Sequence, residues 1–195
     1  RYQETGMKTS AKVVVVGGGV VGVSTLYHLA KKGWTDVVLV ERKELTSGST
    51  WHAAGLLPLF NMSYSVGKLH QYSVDFYHEL EKETEQNVSF SVVSNIRLAA
   101  NQDRMDEYKY YSGVAQTVGV EVNFLTPEQV LEAWPMANIE GIIGAIQHPD
   151  DGYIQPADLT QALAKGARTR GAEIYRNTAV LDIEQQPDDS WIVKT

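Results

Sequence analysis

The sequence contains no cysteine and no long hydrophobic run. The lack of cysteine excludes disulfides, thiolate metal ligands and cysteine nucleophiles. The apolar run near the start, Val13 to Val16, is far too short to span a bilayer, so we expect no membrane partner. Basic residues are also few: 17 Lys and Arg stand against 24 Asp and Glu, with no basic block. We therefore expect no nucleic-acid partner.

The composition is that of a folded protein. Hydrophobic residues make up 43% of the 195 residues, which suits one domain or a domain plus part of another. The final stretch, "SWIVKT" (190–195), is typical of a strand and no polar tail follows it. We therefore expect the incomplete front part of a longer chain. Residues 1–10 are interpreted as a leader or tag remnant, with Met7 as a possible natural start.

The first elements predict a βαβ unit. Lys12–Val16 is an apolar, β-branched run that ends in glycines, which indicates a buried strand. Val20–Lys32 repeats its apolar residues every three or four positions and is followed by Gly33, as a helix would be. Asp36–Glu41 is a second apolar run. Strand, glycine turn, helix and strand in this order predict the α/β class.

The rest of the chain mixes helices with strands in hairpin-like order. The turn residues at Asp151–Gly152 and at 187–190 separate some of these segments. Helices are predicted at 66–85, at 103–118, from Thr126 onward and between Pro156 and Gly171. Strands are predicted within 89–100, at 120–125, 141–148, 172–180 and 180–186, and in the last segment.

The turn after the first strand is a candidate phosphate-binding loop. Gly17, Gly19 and Gly22 form a G-x-G-x-x-G pattern between a strand and a helix, and Glu41 follows nineteen residues after Gly22. Glycines permit a tight turn, a close approach of the backbone to a pyrophosphate and close packing of the helix. The helix start offers free N–H groups to the phosphates. Glu41 would accept hydrogen bonds from a ribose diol, which favours FAD or NAD over NADP.

A second loop favours FAD over NAD. After Glu41 the chain continues with Thr46, Ser47, Gly48, Ser49 and Thr50, instead of the further alternating βα units expected of an NAD dehydrogenase. This polar loop could run along the same pyrophosphate and lead the chain toward a flavin ring.

Several segments resemble a known family. The stretch from "VVVVGGGVVG" to "STWHAAGLL", then "SNIRLA", "GAIQHPDDGYIQPADLTQALAKGARTRGA" and "NTAV", are similar to the flavin domain of dimethylglycine and sarcosine dehydrogenases. These belong to the D-amino-acid-oxidase-like flavoproteins. The resemblance covers nearly the whole chain from Lys12. It implies a Rossmann-like FAD-binding domain at 11–85, an inserted mixed α+β portion of a substrate domain at 86–150, and a return to the FAD domain at 151–195.

Within "STWHAAG" the resemblance implies that His52 carries FAD through a covalent bond to the 8α-methyl carbon of the flavin. A neutral imidazole is needed for that attack, and we expect the apolar neighbours Trp51, Ala53, Ala54 and Leu56 to lower its pKa. Further cofactor contacts follow from the two loops and from the resemblance. They are Val20, Val21, Arg42, Ser47, Gly48, Ser49, Thr50, Gly55, Leu56 and the end of the 172–180 strand at Val180, whose backbone would meet the adenine.

The resemblance implies an FAD-dependent amine dehydrogenase or oxidase. A hydride would pass from the N-methyl carbon of dimethylglycine or sarcosine to the flavin, giving an iminium and then the demethylated amine. The electron acceptor would be an electron-transfer flavoprotein or oxygen, and tetrahydrofolate would enter only in a longer chain. The catalytic base is not identified. Arg97 and His148 are candidate site residues, and no metal site is expected, because the acids of "HPDDG" are interpreted as turn residues.

Two other interpretations stay open. A regulatory subunit of a mitochondrial phosphatase also resembles this family, so the chain could be a non-catalytic regulatory or binding protein; Trp51 and His52 favour the enzyme. The chain could also be an inactive fragment. A start at Met7 suits the bacterial cytoplasm, with the mitochondrial matrix as the alternative. Ser94 stands where many relatives have glycine, which puts the placement of the substrate in doubt.

Overall fold

The computed structural model describes residues 6–59 and 63–195, and these form two compact units. The first unit contains the described residues up to 54, together with 80–88 and 155–195. The second contains the described part of 55–79 and all of 89–154. The predicted ranges differ chiefly in the described part of 55–79, which groups with the second unit. Of the predicted leader, residues 1–5 lie outside the described ranges, and Lys8 forms ion pairs with Asp36 and Glu173.

Helices and strands are mixed along the chain, as the sequence predicts. No helix within the described ranges is long and apolar enough to cross a bilayer. The helices are α1 (Val20–Lys31), α2 (Tyr64–Thr84), α3 (Gln102–Val118), α4 (Pro127–Ala133) and α5 (Pro156–Thr169), with a 3₁₀ turn at Ser49–His52. The strands are β1 (Val13–Val16), β2 (Val37–Val40), β3 (Leu56–Leu57), β4 (Ser91–Val92), β5 (Asn95–Ala99), β6 (Asn123–Leu125), β7 (Gly144–His148), β8 (Gly152–Tyr153), β9 (Glu173–Tyr175), β10 (Asp182–Gln185) and β11 (Trp191–Lys194).

The first unit is built on a parallel sheet in the order β1-β2-β9. All four residues of β2 are buried, as expected for a central strand covered on both faces. Helix α1 buries the stripe Val23, Leu26, Tyr27 and Ala30, whose spacing of three and four places them on one helical face. The predicted βαβ unit is confirmed.

Helix α5 packs on α1 with very little space between them. A Cβ on Gly166 would lie 2.7 Å from the Tyr27 ring. The Tyr27 hydroxyl donates to Glu83, and Arg170 donates to the same carboxylate at 2.6 Å. These contacts connect α1, the end of α2 and α5.

The second unit contains two antiparallel sheets, β5-β7-β6 and β3-β8-β4. Helix α3 packs on the first of them through Tyr108, which contacts Ala99 and Ile146. Helix α4 begins as predicted: Thr126 and Gln129 form a capping box and Pro127 occupies the first turn, which satisfies N–H groups that a helix start leaves without partners.

The predicted strand 172–180 is shorter in the structure. Strand β9 ends at Tyr175, and Val180 lies in the connection to β10, so the prediction of a strand ending at Val180 is wrong. The segment leaves the strand at Asn177, which has a left-handed backbone (φ 53°), a conformation that regular strands exclude and that Asn tolerates better than most residues. The apolar and β-branched composition of this segment did not reveal it.

Candidate cofactor site

A cavity of about 380 Å³ lies at the start of α1 in the first unit. It opens where β1 and β2 end, the edge at which ligands bind in parallel α/β sheets. Its walls come from two loops and from the residues after β2. The lining residues are Gly17, Gly18, Gly19, Val20, Val21, Glu41, Arg42, Ser47, Gly48, Ser49, Thr50 and Ala53.

The glycine loop leaves no room for side chains at Gly18 and Gly22. A Cβ on Gly22 would lie 2.0 Å from the Gly17 carbonyl oxygen, so only glycine lets α1 pack against the turn. Gly17 itself has a φ of 109°, which L-residues rarely adopt. A Cβ on Gly18 would lie 2.6 Å from Leu45 and 2.9 Å from Glu41. Sequence reasoning had missed Gly18, because the G-x-G-x-x-G pattern leaves that position free.

The first turn of α1 presents N–H groups at the cavity. Thr50, which is buried, accepts the Val20 N–H on its hydroxyl oxygen at 2.9 Å. No partner for the N–H groups of Val21 and Gly22 is found among the described residues. The helix dipole adds positive potential at this end. The arrangement therefore suits an anionic ligand.

Glu41 follows β2 and lies beside the glycine loop. One carboxylate oxygen accepts the Gly18 N–H at 2.6 Å, and the other accepts the Lys43 N–H at 2.8 Å. These two bonds hold the carboxylate in one orientation. Each oxygen keeps a lone pair, so Glu41 can accept further hydrogen bonds from a ligand.

The second loop is bound directly to the first. The Thr46 N–H donates to the Gly18 carbonyl at 3.0 Å, and the Thr46 carbonyl accepts the Trp51 N–H at 3.1 Å. Thr46 has a φ of 70°, which turns the chain back toward the cavity. Ser47 to Thr50 consequently line the same cavity as the glycine loop, as their composition predicts.

His52 is the last residue of the 3₁₀ turn, and its side chain is exposed. Trp51, Ala53, Ala54 and Leu56 are exposed as well, so the predicted apolar enclosure of His52 by these neighbours is wrong. The reason is that the chain becomes extended at Ala53 (ψ 136°) and does not fold over the imidazole. Ala53 lines the cavity, although sequence reasoning did not single it out as a site residue.

Four other predicted residues do not line this cavity. Gly22 packs behind the loop, and Val180 is half-buried beyond β9. Gly55 has a φ of 75° and its carbonyl accepts the Ile154 N–H at 2.8 Å. Leu56 pairs with Tyr153 in the β3-β8 ladder. The last two residues have these contacts within the second unit.

Arg97 and His148 meet at Tyr111 in the second unit. Arg97 donates to the Tyr111 hydroxyl at 3.1 Å. The His148 ring lies edge-on to the Tyr111 ring at 5.7 Å, and its side chain is only 1% exposed. Burial, with a smaller effect of the Arg97 charge, lowers the pKa of His148 to about 4. Strand β7 ends at His148, as the predicted strand 141–148 does, and the imidazole is enclosed there.

Asp151 is buried beside this cluster. One of its carboxylate oxygens accepts the Leu59 N–H at 2.8 Å, and its backbone carbonyl accepts the N–H groups of Val93 and Ser94. Burial raises the pKa of its carboxyl group. No group of three potential metal ligands occurs in the described part of the chain. The contacts of Asp151 hold β3, β4 and the start of β8 together.

The comparison with protein families finds one that covers this cavity and the rest of the chain. The family described as FAD dependent oxidoreductase matches residues 12–195. The mitochondrial dimethylglycine dehydrogenase of Rattus norvegicus is 43% identical over 188 residues, which are 96% of this chain and 22% of that protein. The mitochondrial pyruvate dehydrogenase phosphatase regulatory subunit of Mus musculus is 37% identical over 177 residues, 91% of this chain and 20% of that protein. The chain thus spans about a fifth of the length of these relatives.

A solved structure has the same fold. Glycine oxidase from Bacillus cereus ATCC 14579 superposes with a TM-score of 0.78 at 31% sequence identity. The match covers 92% of this chain and 51% of that one. The predicted α/β class and the resemblance to the dimethylglycine dehydrogenase family are both confirmed.

Proposed function

The chain belongs to the family of FAD-dependent oxidoreductases, and we propose that it is the cofactor-binding part of an enzyme that oxidises the N-methyl group of dimethylglycine or sarcosine. The observation that carries this proposal is that one cavity gathers the glycine loop, the start of α1, Glu41 and the second loop. Each of these has the chemistry that one portion of a dinucleotide requires.

The residues fit FAD on steric and electrostatic grounds. The pyrophosphate would lie against Gly17 to Gly19 and the N–H group of Val21, at the start of α1. Glu41 would bind the adenosine ribose, and Ser47 to Thr50 would follow the pyrophosphate. When bound, FAD supplies the group that accepts a hydride from the substrate. This chain's residues bind and orient it.

We further propose that His52 is the covalent anchor of the flavin. Its imidazole is exposed and sits next to Ala53, which lines the cavity. An exposed imidazole is accessible to a bound ligand, and the "STWHAAG" match supports the same role. A covalent bond here would prevent loss of the cofactor.

For the substrate we propose only its class, an N-methylated glycine, and no residues that contact it. Arg97 and His148 both contact Tyr111, which favours a structural role for them over contact with the substrate.

The electron acceptor would be an electron-transfer flavoprotein or oxygen, and tetrahydrofolate could take the one-carbon product in a longer chain. The mitochondrial name of the rat relative supports the matrix as a location, beside the bacterial cytoplasm.

The test is acid denaturation of the purified chain, followed by washing and a flavin absorbance spectrum of the pellet. We expect flavin to stay on the parent and to be washed out of His52→Ala. His78→Ala is a matched control, because His78 is also exposed and packs against Phe90 in the second unit. Flavin that washes off the parent too would remove the covalent role. A chain that never binds FAD, free or covalent, would refute the proposed function.

The match to a phosphatase regulatory subunit favours one alternative, a regulatory protein on the same fold. Turnover of dimethylglycine or sarcosine separates the two functions, since the regulatory alternative predicts none. Turnover by this chain would also refute the inactive-fragment alternative.

A further inference from the structure

The residue that follows β2 is bound on both sides by the segment after β9. Glu41 donates its backbone N–H to the Tyr175 carbonyl at 2.9 Å, and its carbonyl accepts the Thr178 N–H at 2.8 Å. In a regular parallel ladder these two partners are two positions apart. Here they are three apart, so the segment contains one extra residue, as in a β-bulge.

The extra length is used for contacts to the residues after Glu41. Asn177, with its left-handed φ of 53°, donates its N–H to the Lys43 carbonyl at 3.2 Å. Its side-chain amide donates to Glu44 at 3.3 Å, and Arg176 forms an ion pair with the same carboxylate. The segment 176–178, which we name the bulge, therefore binds residues 41, 43 and 44.

These contacts lead to the Glu41 carboxylate. Lys43 accepts a hydrogen bond from Asn177 and donates its own N–H to Glu41. The bulge thus holds the Lys43 carbonyl, on the peptide next to the one whose N–H orients one carboxylate oxygen, while Gly18 orients the other. We propose that Asn177 is a positioning residue, which holds Glu41 where it recognises the 2′-hydroxyl of an adenine nucleotide. This inference rests on the proposed function and deepens it.

The test uses the full chain, freed of flavin by riboflavin-limited expression. Titration calorimetry compares its affinity for ADP with its affinity for 2′-deoxy-ADP. The parent should prefer ADP about tenfold, the worth of one hydrogen bond to a charged acceptor. Asn177→Ala removes the amide and leaves alanine, which tolerates the left-handed region less well than Asn, and should reduce the preference to about twofold. Asn177→Gly keeps the left-handed backbone and should retain most of the preference.

Asp189→Ala is the matched control, because Asp189 also has a left-handed backbone (φ 64°) but sits in the β10-β11 turn. It should lower the melting temperature without changing the preference for ADP. Loss of affinity for both nucleotides by an equal factor in Asn177→Ala would show a merely structural role and overturn the inference. An unchanged preference for ADP in Asn177→Ala would also overturn the inference about Asn177. In that case FAD binding by the parent would still support the proposed function. A parent that binds neither FAD nor ADP would refute both.

Discussion

The two units place their polar side chains in opposite ways. In the first unit the central strand β2 is aliphatic, and Glu41 and the serine-rich loop stand at the ends of strands, around a cavity. In the second unit Arg97, Tyr111, His148 and Asp151 lie between helices and strands and bond to groups of the same unit. Polar groups at strand ends are available to a ligand, whereas polar groups inside the second unit stabilise its fold.

The two histidines make the same contrast. His52 is exposed on a turn beside the cavity, and His148 is 1% exposed with a pKa lowered to about 4. Both are single histidines, so residue type alone does not separate them. Their surroundings do, and three predictions follow from the contrast between the two units.

The largest effect is expected in the glycine loop. Gly22→Ala would place its Cβ 2.0 Å from the Gly17 carbonyl oxygen, so helix and loop must separate. We expect the free energy of unfolding to fall by about 3 kcal/mol and FAD binding to be lost. Urea denaturation and flavin titration measure the two quantities.

Gly113→Ala provides the control for that change. Gly113 lies in α3, where an added Cβ meets nothing within 4 Å. Alanine there should raise the free energy of unfolding by about 0.5–1 kcal/mol, because it is the better helix former. Equal changes in the free energy of unfolding for the two substitutions would contradict the close packing of α1 against the glycine turn.

The second effect comes from His148. Its folded pKa of about 4 lies below the ordinary 6.5, so the unfolded chain binds the proton first as pH falls. Stability from this group is complete above 6.5 and is lost between 6.5 and about 4, by at most about 3 kcal/mol. Urea denaturation across this range should show a steeper loss in the parent than in His148→Gln. Parallel curves would contradict the buried, neutral state.

The smallest effect is expected at Ser94. It has a φ of 70° and its hydroxyl accepts a hydrogen bond from Gln147 at 3.0 Å. Ser94→Ala and Ser94→Gly both remove that bond, but only alanine keeps a Cβ in the left-handed region. Ser94→Ala should therefore be about 1 kcal/mol less stable than Ser94→Gly in thermal denaturation. A difference near zero would mean that the backbone relaxes at this position.

Local pattern was sufficient where short-range forces decide the structure. The valine run predicts β1, its glycine turn predicts the start of α1, and the three-and-four spacing predicts the buried stripe of that helix. Thr126 and Pro127 predict the start of α4 in the same way. In each case the deciding contacts lie within a few residues along the chain.

Pattern failed where a distant segment decides the structure. The 172–180 segment is apolar enough for a long strand, but β9 ends because the chain bulges to bind Glu41, Lys43 and Glu44. The surroundings of His148 are another case: its position at the end of the predicted strand 141–148 does not reveal that Tyr111 from α3 and the β5-β7 pairing enclose it.

The sequence by itself determined the class of fold, the glycine loop with its acid, and the family, because these depend on residue type and spacing. Only the tertiary structure decided which of these groups share a cavity, how Glu41 is oriented, and that His52 is exposed while His148 is enclosed. The physical reason is that burial and hydrogen-bond geometry come from segments far apart in the chain. The bonds that orient Glu41 come from Gly18 and from Lys43, which Asn177 holds in turn.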